Sequence, residues 1–226
     1  MAHALVKDVP VRITAGAAIV DGDLANPKIA SGLVVFAHGS GSSRFSERNR
    51  SVAHALNEHG FATLLMDLLT REEERIDVMT REFRFDIPLL AERVVAAIDW
   101  CVRDERVRTL PIACFGASTG AAAALIAAAE RPNAVRAVVS RGGRPDLAGE
   151  ALPRVKTPTL LIVGQNDEPV IDLNQEAMAA MTAAHVELKI VPRATHLFEE
   201  PGTLEKVVDL TIAFCQTHLG RGRVNP

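Results

Sequence analysis

Residues 110–129 read LPIACFGASTGAAAALIAAA: a short apolar run, a glycine–serine turn and an alanine-rich segment. The turn, Gly116-Ala117-Ser118-Thr119-Gly120, has the G-x-S-x-G pattern that sets a nucleophilic serine on a sharp strand-to-helix turn. The two glycines remove side chains that would clash across such a turn. The helix N-terminus that follows Ser118 favours a developing negative charge. This stretch therefore predicts that Ser118 is a catalytic nucleophile.

Short apolar runs alternate with helical patterns on both sides of this turn. The runs are almost continuously apolar, as is typical of strands buried on both faces; they are Leu33–Ala37, Ala62–Met66, Leu110–Phe115, Ala134–Ser140, Thr159–Val163 and Val186–Val191. Apolar residues at helical spacing lie in Ser46–His59, Asp86–Arg103, Thr119–Arg131, Leu173–Ala183 and Thr203–His218. The alternation predicts an α/β fold with a mostly parallel sheet of about eight strands flanked by helices.

Three segments lie outside this alternation. The run Val9–Val20, followed by Asp21-Gly22-Asp23, predicts an opening β-hairpin. The charged segment Arg71–Arg84 is interpreted as a solvated loop. The short interval 141–158 leaves no room for a large cap domain. Because no repeat or linker divides the chain, residues 1–226 are expected to form a single domain.

The composition of the 226 residues argues against several classes of protein. The formal net charge is −3 and aromatic residues make up 4%, so neither the basic surface nor the stacking platforms of a nucleic-acid binder are expected. The longest apolar stretch, Ala121–Ala129, is far shorter than the ~20 residues of a membrane span, and Met1–Pro10 contains no apolar leader. Without a CxxC pair, the cysteines are interpreted as buried free thiols; they are Cys101, Cys114 and Cys215. We expect a cytoplasmic protein without metal or cofactor and away from membranes, with a homodimer left open.

A serine hydroxyl becomes a strong nucleophile only when a base takes its proton and an acid orients that base. In this architecture the acid and the histidine follow the serine in the chain, each just after a strand. Of the three histidines after Ser118, only His196 comes shortly after the carboxyl end of a strand. Asp167, just after Thr159–Val163, is the predicted acid, with a turn cap as its alternative role. Competing acids are Glu168, Asp172, Glu199 and Glu200.

A glycine- and serine-rich loop, residues 38–44, follows the strand Leu33–Ala37. Such a loop can aim a backbone N–H at the oxygen of a substrate carbonyl. We predict that the amides of Ser40 and Thr119 form the oxyanion hole. His38 is interpreted as a structural residue that shapes the loop, because it lies at a separate strand end and precedes the serine.

The same loop offers a rival interpretation as a dinucleotide-binding turn. Gly39-Ser40-Gly41 resembles the start of that motif, and Asp67 ends the next strand, where a ribose-binding acid would lie. Arg44, however, stands where the third glycine of G-x-G-x-x-G is required. The fingerprint is broken, which disfavours cofactor binding.

Taken together, these residues resemble the small serine-dependent α/β-hydrolases of the dienelactone-hydrolase-like family, over nearly the whole chain. A bacterial branch, sometimes fused to phosphoribosyltransferase domains, has stretches similar to Asp67-Leu68-Leu69-Thr70 and Ser140-Arg141-Gly142-Gly143-Arg144. The resemblance implies an α/β-hydrolase fold without a large cap and a triad of Ser118, Asp167 and His196. Dienelactone hydrolases proper use a cysteine at the position of Ser118, so a general carboxylesterase is expected instead.

The expected function is a serine hydrolase that cleaves small-molecule carboxylic esters through an acyl-enzyme. An acyltransferase with the same triad and a non-catalytic binding protein of this fold are the alternatives. Arg141 and Arg144 follow a strand at the same edge of the sheet and are candidates for holding a substrate carboxylate through bidentate bonds. Their alternative role is pairing with a neighbouring acid, namely Asp146, Glu199 or Glu200.

Overall fold

The computed structural model describes residues 6–220 and contains one eight-stranded sheet. The strands are β1 (Asp8–Ala15), β2 (Ala18–Ala25), β3 (Gly32–Ala37), β4 (Phe61–Met66), β5 (Ile112–Ala117), β6 (Val135–Arg141), β7 (Thr159–Gly164) and β8 (Val186–Val191). Their spatial order is β1-β2-β4-β3-β5-β6-β7-β8. The pairs β1–β2 and β2–β4 are antiparallel, and the remaining pairs are parallel. The predicted α/β-hydrolase fold is confirmed, and the carboxyl ends of β3 to β8 share one edge.

Helices cover both faces of the sheet. They are α1 (Glu47–Glu58), α2 (Arg71–Thr80), α3 (Ile87–Arg103), α4 (Thr119–Glu130), α5 (Glu168–Ala180) and α6 (Thr203–Leu219). Side chains of α1 and α6 form one core with the sheet, where Phe36 and Phe115 pack with ring centroids 4.9 Å apart. Side chains of α3, α4 and α5 form the other core. Helix α4 is apolar on all sides, as its burial requires.

The opening hairpin forms as predicted, but its reversal lies earlier in the chain. Strands β1 and β2 are joined at Gly16 and Ala17, and Ala15 pairs with Ala18. Gly16 has a φ of 60°, a conformation that glycine adopts without strain. The prediction of a turn at Asp21-Gly22-Asp23 is wrong, because these residues lie inside β2.

The charged segment Arg71–Arg84 is a loop only over its last four residues, so that prediction is wrong for residues 71–80. Residues Arg71–Thr80 form α2, which begins with a capping box. The Thr70 hydroxyl accepts from the Glu73 amide at 3.2 Å, and the Glu73 carboxylate accepts from the Thr70 amide at 2.7 Å. This reciprocal pair satisfies two donors that a helix start leaves free, and it compensates for a weak apolar face.

The region between β6 and β7 holds only a 3-10 helix, Pro145–Arg154, so the carboxyl edge carries no cap domain. In the described part of the chain, no helix combines the length and the apolar character needed to cross a membrane.

Candidate active site

The predicted strand-to-helix turn of residues 116–120, called the elbow below, lies at the junction of β5 and α4. Ser118 has φ 49° and ψ −122°, a left-handed conformation that is rare for a residue with a side chain. A Cβ on Gly116 would lie 2.4 Å from the Cα of Ala121, and one on Gly120 would lie 2.3 Å from the carbonyl oxygen of Ala37. Both glycines are therefore required by close backbone approach. The helix start leaves free amides next to the serine.

The predicted base and acid contact each other. His196 Nδ1 lies 2.7 Å from Asp167 Oδ2, and Asp167 is largely shielded from solvent. Although Asp167 occupies the position before α5, its side chain makes no capping hydrogen bond, so the interpretation as a mere cap is not supported. Among the competing acids, Glu199 pairs with Arg48 and Glu200 accepts from the Thr195 amide.

Two loops at the edge of the sheet are joined to make this contact. The Asn166 amide donates to the Ala194 carbonyl at 2.9 Å, and the Asn166 side chain donates to the Arg193 carbonyl at 3.0 Å. A Cβ on Gly164 would lie 2.4 Å from the Ala194 carbonyl oxygen. The loop after β7 therefore holds the loop after β8, and with it His196, at a fixed height above the sheet.

A third segment, residues 141–144, connects the serine to the histidine. The Ser118 amide donates to the Arg141 carbonyl at 3.4 Å, and the Arg144 amide donates to the Ser118 carbonyl at 3.0 Å. Gly142, with φ 50°, lies so close to His196 that a Cβ would be 2.9 Å from its carbonyl oxygen and 3.6 Å from its Nδ1. Gly142 is a site residue that was not predicted from the sequence, although a glycine directly after a strand is a signal of close backbone approach.

The loop of residues 38–44, which is predicted to carry an oxyanion donor and is called the oxyanion loop below, lies next to Ser118. A Cβ on Gly39 would lie 3.0 Å from the Cβ of Ser118. The Ser42 amide donates to the Gly39 carbonyl at 3.2 Å, and Gly41 has φ 67°, which are the features of a type II turn. Ser40 lies exposed within that turn. The amides of Ser40 and Thr119 thus come from the two segments next to Ser118, and their role as oxyanion donors stays a prediction.

The two candidate substrate arginines differ sharply. Arg144 makes a bidentate ion pair with Asp146, with distances of 2.8 and 2.7 Å, so its alternative role as a partner of a neighbouring acid is the one observed. Arg141 is only 7% exposed and, among residues 6–220, has no carboxylate within 4.0 Å. Within the described residues its guanidinium makes one hydrogen bond, from Nη2 to the Asn49 Oδ1 at 3.4 Å, and its Nε has no partner.

Burial, and to a smaller extent the guanidinium of Arg48, lowers the pKa of Arg141 to about 10. Arg141 still carries its charge at neutral pH. The ring of Phe198, two residues after His196, has its centroid 6.0 Å from the guanidinium carbon. The loop after β8 that carries His196 is called the histidine loop below. The region beneath it therefore holds a positive charge that the described chain does not neutralise.

The three cysteines are free and buried, as predicted. Burial raises the pKa of both Cys114 and Cys215 to about 12, so these thiols are protonated and unreactive at neutral pH. Residues 6–220 contain no cluster of three His, Cys, Asp or Glu side chains that could hold a metal ion.

A cavity of about 650 Å³ opens beside the oxyanion loop, between that loop and α2. Its walls combine apolar side chains, hydroxyl groups and charged side chains; they include Phe45, Leu69, Val78, Ser42, Ser43, Thr70, Asp67, Arg71, Glu74 and Arg75. The cavity borders the loop that carries Ser40, on a side where no cap covers it, and neither Ser118 nor His196 lines it.

Known proteins resemble this chain along most of its length. The profile of the dienelactone hydrolase family matches residues 20–209. A crystal structure of a dienelactone hydrolase from Anabaena variabilis is 53% identical, with a TM-score of 0.93, and the match covers 95% of this chain and 99% of that one. Est1E from Butyrivibrio proteoclasticus, 17% identical with a TM-score of 0.76, covers 93% of this chain and 98% of its own, and shares the fold.

A Mycobacterium tuberculosis protein that carries the name phosphoribosyl transferase is 54% identical over 214 residues. The match covers 95% of this chain and 47% of that protein, and the sequence from a second strain gives the same values. The chain thus spans about half the length of the curated relatives it matches.

Proposed function

The chain belongs to the dienelactone hydrolase family, a family of hydrolases, and we propose that it is a serine hydrolase that cleaves small carboxylic esters through an acyl-enzyme. The observation that carries the proposal is the strained Ser118, joined through residues 141–144 to a histidine that an aspartate holds at 2.7 Å. A strained residue of this kind persists only where its surroundings enforce it. A noncatalytic binding protein has no use for that arrangement.

In the proposed mechanism, Ser118 Oγ attacks the ester carbonyl while His196 Nε2 takes its proton. Asp167 accepts from His196 Nδ1–H, which fixes the tautomer and stabilises the imidazolium that forms. The carbonyl oxygen becomes an oxyanion and accepts from the amides of Ser40 and Thr119, each worth roughly 3 kcal/mol. Collapse expels the alcohol, which takes the proton from His196. Water, activated by the same histidine, then releases the acid.

The serine makes general ester hydrolysis the proposed reaction, in place of the cysteine chemistry of dienelactone hydrolases proper. Cys114 does not substitute for it, because it lies inside β5 with no exposed surface. The name phosphoribosyl transferase belongs to relatives about twice as long as the matched segment. We assign the ester chemistry to this chain, and the transferase name remains that of relatives of which the chain covers 47%.

The charge of Arg141, which no described carboxylate neutralises, supports a more specific proposal for the substrate. An ester that carries a carboxylate would supply the anion that the described chain does not give this guanidinium, and a charge-assisted bond to it would be strong. Arg144 is already neutralised by Asp146, so we propose Arg141 alone as the substrate-binding arginine.

Labelling with a fluorophosphonate tests the proposed function. The reagent should phosphonylate Ser118, and mass spectrometry of the digested protein should find the added mass on that residue. The Ser118→Ala variant is expected to fold normally, to take no label and to lose on the order of 10⁴-fold or more of p-nitrophenyl acetate hydrolysis, since triad members act as a unit. A folded Ser118→Ala variant that keeps most of its activity would overturn the assignment.

The choice of acceptor separates hydrolase from acyltransferase. With p-nitrophenyl acetate in water, a hydrolase releases acetate and nitrophenol in equal amounts. An acyltransferase would instead transfer most acetyl groups to an added alcohol at millimolar concentration.

A further inference from the structure

The loop that carries Ser40 has no regular structure of its own, and side chains outside the catalytic triad determine where it lies. Three contacts join residues 38–44 to the segment that begins at Asp67 and ends at Arg84. This segment includes Arg71–Arg84, which the sequence analysis interpreted as a solvated loop. Each contact uses a different type of group.

The first contact runs through His38, which is 6% exposed. Its Nδ1 lies 2.9 Å from the Gly39 carbonyl oxygen, and its Nε2 accepts from the Leu68 amide at 3.0 Å. A ring that donates at one nitrogen and accepts at the other is neutral, and burial lowers the pKa of His38. The structural role expected for His38 follows from these bonds, since neither nitrogen is free to serve as a base.

The second contact is an ion pair between Arg44 and Asp67. The Arg44 amide donates to Asp67 Oδ1 at 2.8 Å, and Arg44 Nη1 donates to Asp67 Oδ2. Arg44 Nε also donates to Asp23 of β2 at 3.2 Å. The side chains of Arg44 and Asp67 are 14% and 19% exposed. One carboxylate therefore holds both the backbone and the side chain of the loop's last residue.

The third contact places a charged side chain against the turn itself. A Cβ on Gly41 would lie 3.2 Å from Arg84 Nη1. Arg84 Nε donates to the buried Asp77 at 2.5 Å, and Asp77 also accepts from the amides of Phe83 and Arg84. Burial opposes the ionisation of Asp77, but these hydrogen bonds outweigh it and lower its pKa. Asp77 thus holds the guanidinium of Arg84 in place next to Gly41.

We propose that Asp67 is a positioning residue for the oxyanion hole, acting on the Ser40 amide through Arg44. The inference rests on the proposed function, because it assumes that Ser40 donates to an oxyanion. A donor stabilises the transition state fully only if it is aimed beforehand, and an error of about 0.5 Å is enough to weaken it. Asp67 is the only group in this cluster that binds the loop backbone through a charge.

This role also explains two residues that the dinucleotide motif left unassigned. Arg44 binds both oxygens of Asp67, so the place of this aspartate after β4 is explained without a ribose hydroxyl. Arg44, which stands in place of the motif's third glycine, is the residue that makes the clamp possible.

The test compares Asp67→Asn with Asp23→Asn. Both aspartates contact the same guanidinium, but only Asp67 binds the loop backbone. With p-nitrophenyl acetate, Asp67→Asn should lower kcat by 10- to 100-fold while KM changes less than about threefold. Asp23→Asn should lower kcat by less than about threefold. Thermal melting of both variants reports whether they remain folded.

A trifluoromethyl ketone separates positioning from general damage. Ser118 adds to its carbonyl carbon, His196 takes the serine proton, and the carbonyl oxygen becomes an oxyanion in the hole. Its affinity for Asp67→Asn should therefore fall by the same factor as kcat. If kcat falls while ketone affinity is retained, or if Asp23→Asn has an equal effect, the positioning role is wrong.

The Arg44→Gln variant tests the ion pair, and the activity of the wild-type protein separates a failure of the positioning role from a failure of the proposed function. Arg44→Gln retains the backbone bond to Asp67 and loses the ion pair, so its kcat should lie between those of wild type and Asp67→Asn; a kcat equal to that of wild type would contradict the role of the ion pair. If wild type hydrolyses no ester and takes no fluorophosphonate label, the proposed function itself fails. If wild type is active and a folded Asp67→Asn is equally active, only the positioning role fails.

Discussion

The nucleophile elbow and the histidine loop lie at the same edge of the sheet but are fixed by different kinds of contact. The elbow follows the central strand β5, which is buried along its whole length, and steric contacts of Gly116 and Gly120 define its shape. The histidine loop follows the edge strand β8, which is half-exposed, and hydrogen bonds to the loop after β7 define its position. Steric contacts dominate at the elbow, whereas hydrogen bonds add to the close approach of Gly164 and Gly142 at the loop that carries the proposed base, His196.

This difference predicts that substitutions in the two regions affect different properties of the protein, namely stability and activity. An added methyl group at the elbow has backbone atoms in its way, so it should damage the fold. A change of one polar atom at the histidine loop leaves packing intact, so it should damage the chemistry alone. Stability and activity measured on the same variants can therefore break or sharpen the comparison.

The largest expected effect is a loss of kcat caused by a polar substitution next to the histidine loop. Asp167→Asn keeps the size of the side chain but favours the wrong tautomer of His196, so kcat should fall by roughly 10³–10⁴. The melting temperature should stay near that of wild type, because Asp167 caps nothing. Steady-state kinetics and thermal melting check both parts.

Glu168→Gln and Glu199→Gln are the controls for this prediction. Glu168 is exposed, and Glu199 makes an exposed ion pair with Arg48 that is worth about 0–1 kcal/mol. Both variants should turn over within about twofold of wild type. If Asp167→Asn instead keeps its kcat while Glu199→Gln loses it, the acid of the triad has been misassigned.

The steric side should respond to Gly120→Ala. A Cβ there would lie 2.3 Å from the Ala37 carbonyl oxygen and 2.5 Å from that of His38, and neither backbone atom can move freely. We expect the free energy of unfolding to drop by about 3 kcal/mol or more, as for severe overpacking. Gly202→Ala is the control: Gly202 lies directly before α6, its φ is 83°, and no atom lies within 4 Å of an added Cβ.

Gly202→Ala should cost only the ~1–2 kcal/mol of a left-handed residue. Urea denaturation of the two variants measures the difference. Equal losses would show that the elbow tolerates a side chain, and the contrast between steric and polar control would then fail.

The same contrast explains what the sequence could and could not reveal. The elbow was predictable because its motif is local: a buried strand, Gly116, Ser118, Gly120 and a helix are contiguous. Asp167 and His196 were predictable because parallel strands bring their carboxyl ends to one edge, whatever the separation in sequence.

Helix α2 was missed because its charged residues hide any apolar face. The Thr70-x-x-Glu73 capping box was the available signal. Helix α5 begins at Glu168, earlier than the predicted Leu173, because Pro169 is accepted in a first helical turn. The partners of Arg44 and Arg141 were beyond sequence reasoning, since they depend on which side chains of distant segments meet.

The segment between the two regions supplies the next test. Arg141→Met should lower kcat/KM for monomethyl glutarate by 10- to 100-fold more than for methyl hexanoate, a neutral ester of nearly the same length. Removing an unpaired buried charge should leave the melting temperature unchanged or raise it. Arg144→Met, which breaks the pair with Asp146, should show no such preference for the charged ester. Equal losses on both esters would make Arg141 a structural residue.

The smallest effect concerns the acyl chain, because neither region closes over the site. The cavity beside the oxyanion loop offers Phe45, Leu69 and Val78 to a short chain, and each buried CH₂ contributes about 0.8 kcal/mol. Methylene groups beyond this cavity meet no cap and stay in water, so they gain no burial, whereas ordering the long chain at the site costs conformational entropy. We therefore expect kcat/KM for p-nitrophenyl esters to be highest at acetate or butyrate and to fall, by about tenfold, towards palmitate. Two exposed side chains of α2, Val78 and Met79, mark the path a longer chain would take. If activity instead rises to palmitate and Met79→Ser abolishes the rise, α2 is a lipid-binding wall and the site is not limited to small esters.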